Sequence, residues 1–103
     1  MGLKMIKISI TMNNACDRPR LTHGMIKDYL LSHYGGYTEI ECKGAWQGHG
    51  RIYRDNNTIY ESITEERYYN VDDFKLFIYE LKGISKEEGI MVTIENIREV
   101  IIY

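Results

Sequence analysis

A chain of 103 residues with 44% hydrophobic content has the size of one domain, able to bury about two-thirds of its unfolded surface in a single core. Its formal net charge of −2 withholds the broad pull on phosphates that a general nucleic-acid binder uses, so nucleic acid is not an expected partner. No apolar run nears the roughly 18 residues of a membrane span, and the first residues become charged too soon for a secretion signal, which predicts a soluble cytoplasmic protein with no membrane partner.

Residues 4–12 alternate, with Ile6, Ile8, Ile10 and Met12 on one face and Met5, Lys7, Ser9 and Thr11 on the other, the pattern of a strand with one buried side. A polar loop follows, and Pro19 keeps Arg18 out of helical geometry. A helix is predicted from Thr22, a good N-cap, to His33 or Tyr34, with Met25, Ile26, Tyr29, Leu30 and His33 on one stripe, stopped by Gly35 and Gly36.

The stretch 36–61 holds the only tryptophan and a dense set of polar groups. Thr38, Ile40, Cys42 and Gly44 alternate with Tyr37, Glu39, Glu41, Lys43 and Ala45; Gln47-Gly48-His49-Gly50 then supplies a glycine-containing turn, and Arg51 to Arg54 resume an extended pattern, so a hairpin is expected. Alternation with Ile40 assigns Cys42 to the core. Asp55-Asn56-Asn57 is either a turn or part of a continuous strand with a bulge, because alternation returns from Thr58 to Thr64. A second helix is predicted from Val71 or Asp72 to Lys82, capped by Asn70, with Phe74, Phe77, Ile78 and Leu81 on its stripe and Gly83 closing it. Ile90, Val92 and Ile94 mark a strand over 90–94, and 98–103 is a candidate for a further short one. The order β-α-β-β-α-β predicts an α+β, ferredoxin-like antiparallel sheet with two helices on one face.

Cys16 and Cys42 belong to no CxxC or Cys/His cluster and read as reduced thiols. Cys16 and His23 are near in sequence, as a thiolate and its base would be, but a loop and a helix start separate them. His23, His33 and His49 lack metal-ligand spacing, and Gly48-His49-Gly50 lacks the Lys-Ser/Thr of a phosphate loop, so neither a metal nor another cofactor is expected. The more suggestive set is Arg18, Arg20, Arg51 and Arg54 with Trp46, Tyr53 and Tyr60: guanidinium forks hold phosphate or carboxylate, and aromatic faces stack on a base. The competing reading makes Trp46 the hairpin's core anchor and pairs the arginines with Asp55 or Glu61. Alternation puts Arg51 and Tyr53 on one face and Ile52 and Arg54 on the other; if Ile52 packs on the helices, Arg51 and Tyr53 lie on the helix-free face. We expect ligand binding through Arg18, Arg20, Trp46, Arg51, Tyr53 and Tyr60, and self-association that covers outward tyrosines and a free sheet edge.

At the hairpin, Gly36 and Thr38, Gly44 and Trp46, Gly50 and Ile52, then Asp55, resemble the pattern of a family of small bacterial and bacteriophage domains of unknown function. That resemblance implies a ferredoxin-like fold and a continuous strand through 55–57. The layout is also similar to phage S-adenosylmethionine lyases, small oligomers that bind their ligand between subunits and use a strand tyrosine and glutamate. Trp46 stands where the tyrosine is expected and Asn57 near the glutamate, with Tyr53 or Tyr60 and Glu61 as substitutes. Phage proteins of this size include sponges that sequester nucleotide signals of host defence. These resemblances imply a host-cytoplasmic protein that sequesters a small anionic, adenine-nucleotide-like ligand or, alternatively, a lyase; a protein-interaction module is the third reading.

Overall fold

In the computed structural model, which describes residues 3–103, the elements are β1 (Met5–Asn13), α1 (Pro19–Tyr34), β2 (Thr38–Gly48), β3 (Arg51–Glu65), a 3-10 turn (Glu66–Tyr68), α2 (Val71–Ser85) and β4 (Met91–Ile97). The sheet runs β2-β3-β1-β4, with every neighbour antiparallel. This is the ferredoxin-like arrangement expected from the order of elements. Ile6, Ile8, Ile10 and Met12 point toward the helices and meet Ile26, Leu30, Phe74, Phe77 and Leu81 in one core. Opposite them on β3 lie Thr64, Ser62, Tyr60 and Thr58, also buried.

α1 begins at Pro19 rather than Thr22. Proline suits the first helical turn because its missing N–H would find no partner there, while Arg18 adopts a left-handed conformation (φ 48°, ψ 56°). Thr22 is therefore inside the helix, where its buried hydroxyl donates to the Arg18 carbonyl at 3.1 Å. Gly35 ends α1 as expected, at φ 85°, its N–H donating to the Leu31 carbonyl. Asn70 caps α2 by accepting from the Asp73 N–H at 3.0 Å. Gly83 does not stop that helix, which continues to Ser85 because Leu81 and Ser85 are both buried and packing outweighs glycine's helix penalty of about 1 kcal/mol.

β3 is continuous through 55–57 and needs no bulge: every residue from Arg51 to Glu61 has a β2 partner in one register. β1 pairs only with 57–65, so 51–56 and their partners 43–48 project as a two-stranded arm, and the molecule measures 51 × 23 × 23 Å. At its tip His49 (φ 50°) and Gly50 (φ 73°) are both left-handed, the requirement of a tight two-residue hairpin turn. Residues 98–103 form no strand, and Ile102 and Tyr103 stand exposed beyond β4.

The register also puts Ile40 and Cys42 on the helix-free face, opposite Ile59 and Asn57; Ile40 is exposed and Cys42 half-buried, so Cys42 is not a core residue. Because α1 and α2 pack over β1, β4 and the proximal half of β3 and leave β2 largely bare, alternation in β2 marks a face without marking which face is buried. Truncation should separate core from arm. Leu81→Ala is expected to cost about 2 to 5 kcal/mol in denaturant unfolding, whereas Ile52→Ala, on the exposed arm, should stay within about 0.5 kcal/mol.

Candidate functional site

The arm carries a preassembled aromatic platform. Trp46 and Tyr53 are directly paired across β2 and β3, and their rings stack at 4.2 Å with planes 14° apart. The indole N–H donates to the Asp55 carboxylate at 3.1 Å. Gly48 leaves room for the indole, since a Cβ there would fall 2.7 Å from it, and Gly44 leaves room for Asn57, whose amide a Cβ would approach to 3.1 Å. Trp46 is 52% exposed; the arm reaches past both helices, so the indole anchors no core.

Trp46, Asp55 and Asn57 form one wall of a cleft of about 490 Å³. The end of β1, with Thr11 and Asn13, makes its floor, and the loop between α2 and β4, with Glu87 and Gly89, faces the arm. A web of contacts fixes this end of the sheet. The Asn14 N–H donates to the Asn56 carbonyl at 2.9 Å, the Thr58 hydroxyl donates to the Asn14 side chain at 2.7 Å, and Asp17 pairs with Lys86 at 3.5 Å. Partial burial, with Asp55 and Glu88 nearby, pushes the Glu87 carboxyl above its ordinary pKa. Asp55, Glu87 and Glu88 outnumber the one cation of the lining, Lys86, which Asp17 already pairs, so the cleft wall is acidic as well as aromatic.

Of the residues singled out from sequence, Trp46, Arg51 and Tyr53 lie on one face of the arm, continuous with the helix-free face, and Ile52 and Arg54 on the other. Among the described residues, Arg18, Arg20, Arg51 and Arg54 have no carboxylate within 4.0 Å in an ion pair; Asp55 serves Trp46, and Glu61 serves Lys7 at 3.8 Å. Arg18 and Arg20 are exposed at the start of α1. Tyr60 is not brought to this face. It is 2% exposed and lies under the helices, where its hydroxyl meets His23 Nδ1 at 2.6 Å and burial raises its pKa to about 12. Cys16 and His23 do not pair either: the thiol contacts Thr22 Oγ1 at 3.3 Å, and His23 is held by Tyr60 and by the Asn13 carbonyl at 3.2 Å.

Sequence reasoning passed over Asp55 as the indole's partner and the loop over Glu87 and Gly89. The flanking glycines of Gly44-Ala45-Trp46-Gln47-Gly48 were the available signal for the former; nothing in sequence joined the loop to the arm.

No protein-family model and no curated protein sequence matches the chain. Its fold is similar to solved structures at low identity. The divalent ion tolerance protein CutA1 from Ehrlichia chaffeensis superposes with a TM-score of 0.67 at 7% identity, over 97% of this chain and 87% of that one. The periplasmic divalent cation tolerance protein CutA from Archaeoglobus fulgidus gives 0.66 at 14%, over 94% and 87%. The ATP complex of GlnK from B. subtilis gives 0.64 at 16%, over 94% and 84%.

Gly48→Ala should displace the indole and shift the emission of the protein's single tryptophan while the circular dichroism spectrum stays native. Trp46→Ala should cost only about 1 kcal/mol in thermal unfolding, the scale of one aromatic pair rather than of a buried indole.

Proposed function

We propose that the protein binds a small adenine-nucleotide-like molecule in the cleft beside the arm and holds it without turning it over. The observation that carries this reading is the Trp46–Tyr53 stack, locked by Asp55 and floored by Gly48, along a cleft of about 490 Å³. An exposed indole in a fixed pose offers a π-face to a purine at little entropic cost, and such stacking contributes about 1 to 3 kcal/mol per base. Asp55, Asn57 and Asn13 supply acceptors and donors for a base edge or sugar hydroxyls. Arg51, next on the same face and without a carboxylate partner, is the side chain for the ligand's phosphate or carboxylate, with Arg18 and Arg20 as further cations at this end of the sheet. A fold neighbour, GlnK, was solved with ATP, which supports the ligand class by analogy alone. The setting we propose is sequestration of a nucleotide signal by a phage protein inside its host.

One observation favours a second reading. Asp55, Glu87 and Glu88 make the cleft wall anionic, which repels a polyphosphate and suits a sulfonium, so S-adenosylmethionine is the second ligand and its lysis the second function.

We also propose that the chain self-associates through the helix-free face. Ile40, Ile59, Thr11 and Met91 form one row straight across all four strands, and Ile40 and Met91 are exposed. This row, rather than outward tyrosines, is the apolar surface a second copy covers. Light scattering should give a multiple of 12.1 kDa; a monomer mass at micromolar concentration overturns the assembly.

Ligand binding is tested by thermal shift against ATP, other adenine nucleotides and S-adenosylmethionine, where a ligand at 100 times its Kd adds about 2.7 kcal/mol. Chromatography after incubation with S-adenosylmethionine separates a binder from a lyase. For a nucleotide that binds, Arg51→Ala should weaken affinity about ten- to a hundredfold, the loss of one charge-assisted contact, and Arg54→Ala should leave it nearly unchanged. No shift with any of these ligands, or the reverse ranking of the two arginines, overturns the reading.

A further inference from the structure

A second cleft, of about 470 Å³, opens between α2 and β4 and adjoins the first at Gly89 and Ile90. Its walls are Ile78 from α2 and Ile90, Val92 and Ile94 from the approach to β4 and the strand itself, with Lys75 and Lys82 on the helix side. It exists because β4 lies at the edge of the sheet: among the described residues its outer edge has no partner, and α2 leaves Ile94 exposed although Ile94 points to the helix side, opposite Ile8. A row of free backbone donors and acceptors beside an apolar trough is the template for an added strand.

The segment with matching chemistry is residues 98–103 of the chain itself. Val100, Ile101, Ile102 and Tyr103 are consecutive, β-favouring and all exposed, Ile102 at 92%. An extended strand of this composition sends alternate side chains to one face, so Ile101 and Tyr103 enter the trough together while Val100 and Ile102 face the other way. Glu99 supplies a negative charge to the cleft's lysine side.

The segment is poorly built to fold back on its own strand. It follows β4 directly, and a tight reversal would place Arg98 and Glu99 at the centre of the turn, where left-handed conformations are needed and glycine or asparagine is the residue that accepts them. The chain's own hairpin shows the contrast, with His49-Gly50 at that position. We infer that residues 98–103 of one copy add as a strand to the free edge of β4 in a second copy, with Ile101 and Tyr103 filling the α2–β4 cleft. Exchange of a terminal strand between identical chains is a low-cost route to an oligomer. This contact adjoins the nucleotide cleft at Gly89 and Ile90 and does not depend on what that cleft binds.

The test uses two full-length proteins on a Cys42→Ser background, one carrying Ile78→Cys and the other Ile101→Cys, both checked for native circular dichroism. Mixed and mildly oxidised, they should yield the peptide linking 78 to 101, identified by mass spectrometry, which in this mixture forms only between chains. A chain carrying both cysteines, oxidised at high dilution, should give no such link. A link confined to the single chain shows that the segment folds onto its own groove and overturns the exchange. Absence of the link in both experiments overturns the docking altogether. Ile90→Cys replaces Ile78→Cys if the helix position disturbs folding.

Discussion

The unbroken register of β3 is the constraint on which the rest depends. Nine residues of that strand pair with β1 inside the sheet, while 51–56 pair with β2 alone. Since side chains alternate strictly, the parity set by burying Thr58, Tyr60, Ser62 and Thr64 is carried into the arm and determines that Arg51, Tyr53 and Asp55 emerge on the helix-free face. Trp46 follows because it is paired with Tyr53. A one-residue bulge at 55–57 would have brought Ile52 and Arg54 to the helix-free face in place of Tyr53 and Arg51, leaving Trp46 without its stacking partner. The core therefore orients a platform, Trp46 and Tyr53, that lies outside it.

Much of this was legible in the chain, where its signals were local. The isoleucine alternation of β1, the glycine that ends α1, the Asn70 cap and the face shared by Arg51 and Tyr53 all depend on neighbours within a few residues. Where the reading departed from the structure, a distant contact decided the matter. Thr22 has an N-cap's chemistry, yet Pro19 starts the helix and burial against Cys16 occupies the threonine. Gly83 has a stop's chemistry, yet the core beneath Leu81 and Ser85 carries the helix past it. Cys42 alternates with an isoleucine, yet no helix covers that face of β2. The cleft was the least legible part, because it is made by bringing 11–13, 46–57 and 86–91 together, and no period or motif spans such separations.

The two sides of the sheet are also coupled in a way that gives buried Tyr60 a place in the site's construction. The Asn13 carbonyl can only accept, so His23 Nε2 carries the proton toward it, and in the neutral ring Nδ1 accepts from the Tyr60 hydroxyl. One imidazole on α1 thus ties the middle of β3 to the residue where β1 ends, and that residue is part of the cleft floor. Beside it, Thr58 and Asn56 hold Asn14, and no buried side-chain nitrogen or oxygen among the described residues lacks a partner. Polar groups buried with complete pairing fix geometry closely, because any shift leaves one of them unsatisfied in a medium where that is costly. The floor of the cleft, where β1 ends, is consequently held in place by these contacts.

That anchoring bears on the cleft's charge. A mobile acidic loop would swing Glu87 and Glu88 into water, where repulsion from Asp55 would be screened. Here the loop is tied at its start, since the Asp17 N–H donates to the Ser85 carbonyl and Lys86 pairs with Asp17, and β4 pairing holds its other end from Met91 onward. Glu87 is thereby kept partly buried and near Asp55 and Glu88, and burial first, then those carboxylates, raise its carboxyl pKa. A ligand that brings a positive centre between these carboxylates relieves a repulsion already built into the fold, whereas one that brings phosphates must place them toward Arg51 and away from the loop. On the proposed reading, the indole between the two regions suits a molecule with a flat ring and a single charged arm, and the sign of that arm sets which end of the cleft it occupies.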